Sequence, residues 1–153
     1  MLALLIVMTG LMAGIYFAFS VFIMKSFTEL PALQAAQAMN KINDVILNTL
    51  FLPLFFGSTI GFAGLIVWSF ADWHPDQSQP VVSAAAIYIA GMFAVTAFGN
   101  VPLNNKLKSS SIDDTLLIEF WHEYRHSWTR LNHLRTLSCL ASCSLLIVAL
   151  PQA

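Results

Sequence analysis

A chain of 153 residues that is 58% hydrophobic and only 10% charged departs from soluble domains, in which about 25% of residues are charged. A net charge of −1 gives no basic surface of the kind that nucleic-acid binding requires. Apolar runs joined by short loops leave no room for a soluble unit, so residues 1–153 are expected to form one membrane domain.

Met1–Met24 holds 24 residues without a charge, Val45–Ala71 holds 27 and Val81–Asn105 holds 25. Each exceeds the roughly 20 apolar residues that cross a bilayer core about 30 Å thick. A shorter run, Thr136–Ala153, follows a charged helical segment. The expected fold is an all-α, integral membrane four-helix bundle with short interfacial helices. The spans fall at about 1–24, 45–70, 81–103 and 131–150, and the interfacial helices at about 31–42 and 114–130.

The first run has no preceding Lys or Arg and is longer than a signal-peptide apolar region of about 7–15 residues, so it reads as a retained span. Its Gly10, Gly14 and Ala18 form a small-residue face, suited equally to packing within the chain or to a homo-oligomer. Pro31 opens the first interfacial helix. Span two carries Pro53, where a kink is expected, and the small residues Gly57, Gly61 and Gly64. Pro102 is expected to end or bend span three. Asp113 or Asp114 can cap a helix from about Thr115, which continues into span four because no Gly or Pro intervenes before Pro151. Cys139 and Cys143, four apart on one helix, read as apolar packing rather than as a disulfide.

All seven Lys and Arg residues lie in Lys25–Asp44 and Lys106–Arg135. Under the positive-inside rule these segments face the cytoplasm of a multi-pass cell-membrane protein, with both termini outside. All seven asparagines and three of the four histidines lie on the same basic side. Asn48, Asn100 and Asn132 belong to three spans at similar depth, and polar groups in a span normally face the bundle interior. A polar pocket toward the cytoplasm is therefore expected, against the alternative of helix-to-helix hydrogen bonds with no ligand. Arg135 either snorkels to the boundary or points inward to meet an anion.

His122-Glu123-Tyr124-Arg125-His126 matches the H-E-x-x-H zinc pattern. Glu119, one turn earlier, is a possible third ligand, but Asn132 stands where the extended pattern has histidine and His133 is one residue late, so a third ligand at good spacing is missing. No bound metal is expected, and a metal-dependent membrane hydrolase through His122 and His126 is the weakest functional reading.

Asn100-Val101-Pro102-Leu103-Asn104 resembles the N-x-P-L-N signature of small four-helix membrane proteins related to anthrone oxygenases. Trp121, Trp128, Asn132 and Arg135 resemble the same family's tryptophan-to-arginine element. The resemblance implies oxygenation of a hydrophobic polycyclic phenol to a quinone, with no flavin or metal cofactor. A base removes a proton from an acidic methylene, the carbanion reduces dioxygen, and the peroxide collapses to a ketone with loss of water. In that reading His133 is the base, and Asn132, Asn100 and Arg135 hold the enolate. Asn104 and Asn48 add polar contacts, and Trp121 and Trp128 stack on the rings. The partners implied are membrane lipids and a lipid-soluble aromatic. The competing reading is a non-enzymatic membrane binder or accessory protein.

Overall fold

The computed structural model describes residues 1–150; the last three residues of the Thr136–Ala153 run lie outside the described residues. Five helices follow one another: α1 (Leu2–Glu29), α2 (Ala32–Ile46), α3 (Phe51–Ala71), α4 (Pro75–Ile112) and α5 (Asp114–Val148). Among the described residues there is no strand. Helices α1, α3, α4 and α5 are long and apolar enough to cross a membrane, and an α-helix satisfies its backbone polar groups internally, as lipid demands. The chain is an all-α, multi-pass membrane protein.

Several boundaries differ from the sequence reading for local reasons. Val45 and Ile46 complete the amphipathic α2, which buries Ala35, Ala36 and Met39, so α3 begins at Phe51 after a short turn. Pro53 then falls in the first turn of α3, where backbone N–H groups have no helical acceptor to lose, and the helix runs on through it. Helix α4 starts at Pro75, a favoured first-turn residue, and tolerates Pro80. It also passes through Pro102. A π-helical turn over Thr96–Asn100 immediately precedes that proline and widens the helix where its ring would otherwise crowd the chain. A second π turn occupies Ile89–Ala94, and a third, Phe19–Ile23, interrupts α1.

The small residues divide by facing. Gly10 and Gly14 are exposed, with open space where a side chain would go. Gly57 and Gly61 instead receive α1: a Cβ at Gly61 would lie 2.6 Å from Leu5 Cδ2, and one at Gly57 3.0 Å from Met8 Cε. Gly91 of α4 sits against Ser138 of α5, leaving no room for any side chain.

Two cores result. One joins α1, α3, α4 and α5 through Met12, Tyr16, Phe62, Tyr88, Met92 and Leu146. The other lies at the basic end, where Met39 of α2 packs with Leu107, Leu117, Trp121, Tyr124 and Trp128. Lys108 bridges to Asp44 at 2.7 Å, and Asn40 donates to Ser111 Oγ at 2.8 Å, tying α2 to the α4–α5 connection. Asp113 caps α5 by accepting from the backbone N–H of Leu116 and Thr115 at 3.2 and 2.7 Å. Those two hydrogen bonds hold its carboxyl below the usual carboxylate range.

Candidate functional site

The basic half of the bundle encloses a cavity of about 490 Å³ between α1, α2, α3, α4 and α5. Its body is apolar: Ile15 and Phe19 of α1, Phe51 and Phe55 of α3, and Phe93 of α4 line it. Phe51 stacks on Phe55 at 5.9 Å and Phe55 on Phe93 at 5.4 Å. One end is polar, formed by Tyr16, Thr96, Asn100, Trp128 and Arg135. The mouth is polar too, with Asn43, Asp44, Asn105 and Lys108. The wall is incomplete between the N-terminal turns of α3 and the second half of α4. There Phe56 and Val101 line the cavity yet remain 50% and 42% exposed.

Arg135 is the unusual group. It is 4% exposed, and its guanidinium lies over the Tyr16 ring at 4.3 Å and beside the Trp128 ring at 5.0 Å. Nη2 donates to Asn132 Oδ1 at 2.7 Å and Nη1 to Thr96 Oγ1 at 3.4 Å, while Nε has no acceptor. Among the described residues no carboxylate pairs with it; the ion pairs join His74 to Asp72, Lys106 to Glu123 and Lys108 to Asp44, all on the surface. Aromatic faces and neutral oxygens partly offset the charge, but a buried cation is costly without an anion. Asn100 reinforces the opening. Its Nδ2 donates to the Trp128 carbonyl at 3.3 Å and its buried Oδ1 is left without a donor.

Behind these groups stands a supporting layer. Asn132 is fully buried and donates to the Tyr16 carbonyl and to Ser20 Oγ, both at 2.7 Å, so it clamps α5 to α1 while its Oδ1 orients Arg135. Ser20 lies within the π turn of α1 and Tyr16 just before it, and such a turn is the kind of irregularity that alters which backbone groups are free. Asn104 Oδ1 accepts from Tyr124 OH at 2.8 Å and Trp128 Nε1 at 2.9 Å, fixing the indole against which Arg135 rests.

Of the residues singled out in the sequence, Asn100, Asn104, Trp128 and Arg135 line the cavity, and Asn132 stands directly behind Arg135. Three do not join them. His133 is exposed on the outer face of α5, because adjacent residues on a helix diverge by about 100° and Asn132 and Arg135 already face inward. Asn48 lies exposed in the turn after α2, with Nδ2 3.4 Å from the Asp44 carbonyl, because α3 starts three residues later. Trp121 is buried in the second core, stacked on Tyr124 at 5.5 Å under α2 and away from the cavity. His122 and His126 are exposed. Among the described residues no three His, Cys, Asp or Glu side chains come together. Sequence reasoning missed Tyr16, Thr96 and the phenylalanine lining, all inside apolar runs whose inward and lipid-facing sides have the same composition.

Chemically, the arrangement is a flat-walled apolar chamber that ends in an uncompensated cation and an unpaired acceptor. Residues 48–145, which include most of these groups, match the family model described as anthrone oxygenase. No curated protein and no solved structure matches the chain.

Proposed function

The chain belongs to the anthrone oxygenase family, and from that premise we propose that it oxygenates a membrane-soluble polycyclic phenol at the Arg135 end of the cavity. The observation that carries this reading is the buried guanidinium with no carboxylate partner and a free Nε, placed at the end of an aromatic-lined chamber. A cation so placed stabilises an anion that forms inside the site, and an enolate oxygen is the anion this reaction generates. Tyr16, Trp128 and Thr96 hold the guanidinium; Phe51, Phe55 and Phe93 flank the rings.

Among the described residues the cavity has no histidine, and Asp44 at its mouth is the only carboxylate that lines it. The site therefore works by making the bound methylene more acidic, that is by lowering its pKa, and the proton leaves through the polar mouth. The carbanion gives its electrons to dioxygen and a carbon–oxygen bond forms, leaving a hydroperoxide. Loss of the second methylene proton breaks the oxygen–oxygen bond, so one oxygen becomes the ketone and the other leaves as water. The substrate supplies every electron. The cavity faces the cytoplasm in this reading, because all seven Lys and Arg residues lie at its end of the bundle.

The test is quinone formation from an anthrone by membranes containing wild type, Arg135→Gln or His133→Ala at matched expression. Wild type should exceed the spontaneous rate, Arg135→Gln should lose about 10²–10³ of the excess, and His133→Ala should retain it. No excess over spontaneous oxidation across several polycyclic phenols would leave a binder, the reading that the lack of an internal base favours.

A further inference from the structure

The motif at 122–126 belongs to a longer pattern. His126, Arg130, His133, Leu137, Leu140, Ser144 and Ile147 are all exposed on α5. They recur at i, i+4, i+7, i+11, i+14, i+18 and i+21, so they form one outward stripe along a single unbroken helix. The stripe changes character along its length. From Leu137 on it is mostly apolar, with Leu137 64% and Ile147 53% exposed, as a lipid-facing surface should be. Above Leu137 it consists of imidazoles and a guanidinium, and His122 extends it one turn further.

Depth fixes where that change falls. A hydrocarbon core about 30 Å thick takes roughly 20 helical residues, which counted back from Val148 reaches the level of Arg130. Arg130 therefore sits at the edge of the hydrocarbon, with His126 one turn into the headgroup layer and His133 one turn below. Side chains on a helix lean toward its N-terminus, and the N-terminus of α5 is the basic end, so both Arg130 and His133 lean toward the headgroups. Arg130 has no ion-pair partner among the described residues, unlike Lys106 and Lys108. Imidazoles donate a hydrogen bond in either protonation state.

We propose that His126, Arg130 and His133 form a docking site for the phosphate of an anionic phospholipid, whose acyl chains lie along Leu137 and Leu140. Guanidinium supplies the charge and the fork that phosphate oxygens accept; the two imidazoles flank it; the leucines below continue directly into the chain region. An anionic lipid is favoured over a soluble phosphate because the apolar part of the stripe would otherwise contribute nothing to binding.

The experiment uses the full chain in nanodiscs of phosphatidylcholine mixed with phosphatidylglycerol, with retained lipid counted by native mass spectrometry. Wild type should retain phosphatidylglycerol over phosphatidylcholine by about fivefold or more, as expected for one basic side chain at the membrane surface. Arg130→Gln should fall toward parity, Arg130→Lys should keep part of the preference, and the exposed Lys25→Gln should keep all of it. Equal retention of the two lipids by wild type would overturn the proposal, as would a preference that survives Arg130→Gln. Equal loss in Lys25→Gln would reduce the effect to diffuse charge and also defeat it. Displacement of the lipid by soluble glycerol phosphate would reassign the site to free phosphate. Every variant lies on the outer surface, so none depends on the cavity or on anthrone oxidation.

Discussion

Toward the Asp72–Pro80 turn the interior of the bundle is closed, and a pocket of about 580 Å³ lies only at its rim, lined by Leu2, Leu65, Trp68, Gln77 and Val81. Phe62 stacks on Tyr88 at 4.4 Å, Tyr88 and Ser58 hydroxyls meet at 2.7 Å, Ser142 donates to the Ala84 carbonyl at 2.9 Å, and Gly91 lets α5 approach until Ser138 fills the space. Toward the basic end the same four helices separate around a cavity, a π turn over Thr96–Asn100 interrupts α4 beside it, and buried polar atoms of Asn100 and Arg135 go without partners. The first region pairs the hydroxyls of Ser58, Tyr88 and Ser142 and supplies the packing, while the buried Thr9 Oγ1 goes without a partner. The second leaves polar groups open where a ligand would complete them, and it depends on the first to keep them apart. Unsatisfied groups in a native structure ask for such an explanation.

The contrast is broken most severely at Arg135. Arg135→Gln keeps a polar side chain but removes the cation, and turnover of an anthrone should fall by about 10²–10³ with thermal stability unchanged or higher, since the uncompensated charge is gone. Oxidation assays paired with melting curves would read both; a large loss of stability would mean that the guanidinium serves the fold. Next comes Gly91→Val in the closed half. A side chain there collides with both Oγ and Cβ of Ser138, so overpacking should cost about 1–3 kcal/mol, seen as a lower Tm, while any surviving protein keeps its activity per folded molecule. Tyr88→Phe should cost only ~0.6 kcal/mol, the usual worth of a hydrogen bond between membrane helices. Smallest is Asp113→Ala, which removes a cap in water and should lower Tm slightly. That effect follows pH with a fixed sign. The folded carboxyl titrates below its unfolded counterpart, so the cap's contribution is present above the ordinary carboxylate range and lost as pH falls through the folded value. An Asp113→Ala variant that matched wild type at neutral pH would show the cap to be dispensable.

The closed half was readable as helices but not as contacts. Run length identified spans, and yet Gly10 and Gly14 carry the same small-residue spacing as Gly57 and Gly61 while facing the opposite way. Nothing in an apolar run marks which side meets lipid. The open half was more legible because its residues are polar: Asn100, Asn104, Asn132 and Arg135 stand out against their surroundings, and the similar depth of Asn100 and Asn132 on separate spans pointed to a common pocket. The same reasoning failed at His133, one position from Asn132, and at Asn48, where α2 uses residues that the composition assigned to a span. The π turns that shape the cavity left no recognisable trace in the residues that form them.

The gap between α3 and α4, where Phe56 and Val101 are at once cavity lining and outer surface, bears on dosage. A chamber that opens into hydrocarbon exchanges with solutes of the bilayer, so its filling follows the ligand's mole fraction in lipid and not its molarity in buffer. Half-saturation, expressed as total ligand per litre of suspension, should then climb as empty vesicles are added, although the amount of protein and its affinity stay the same.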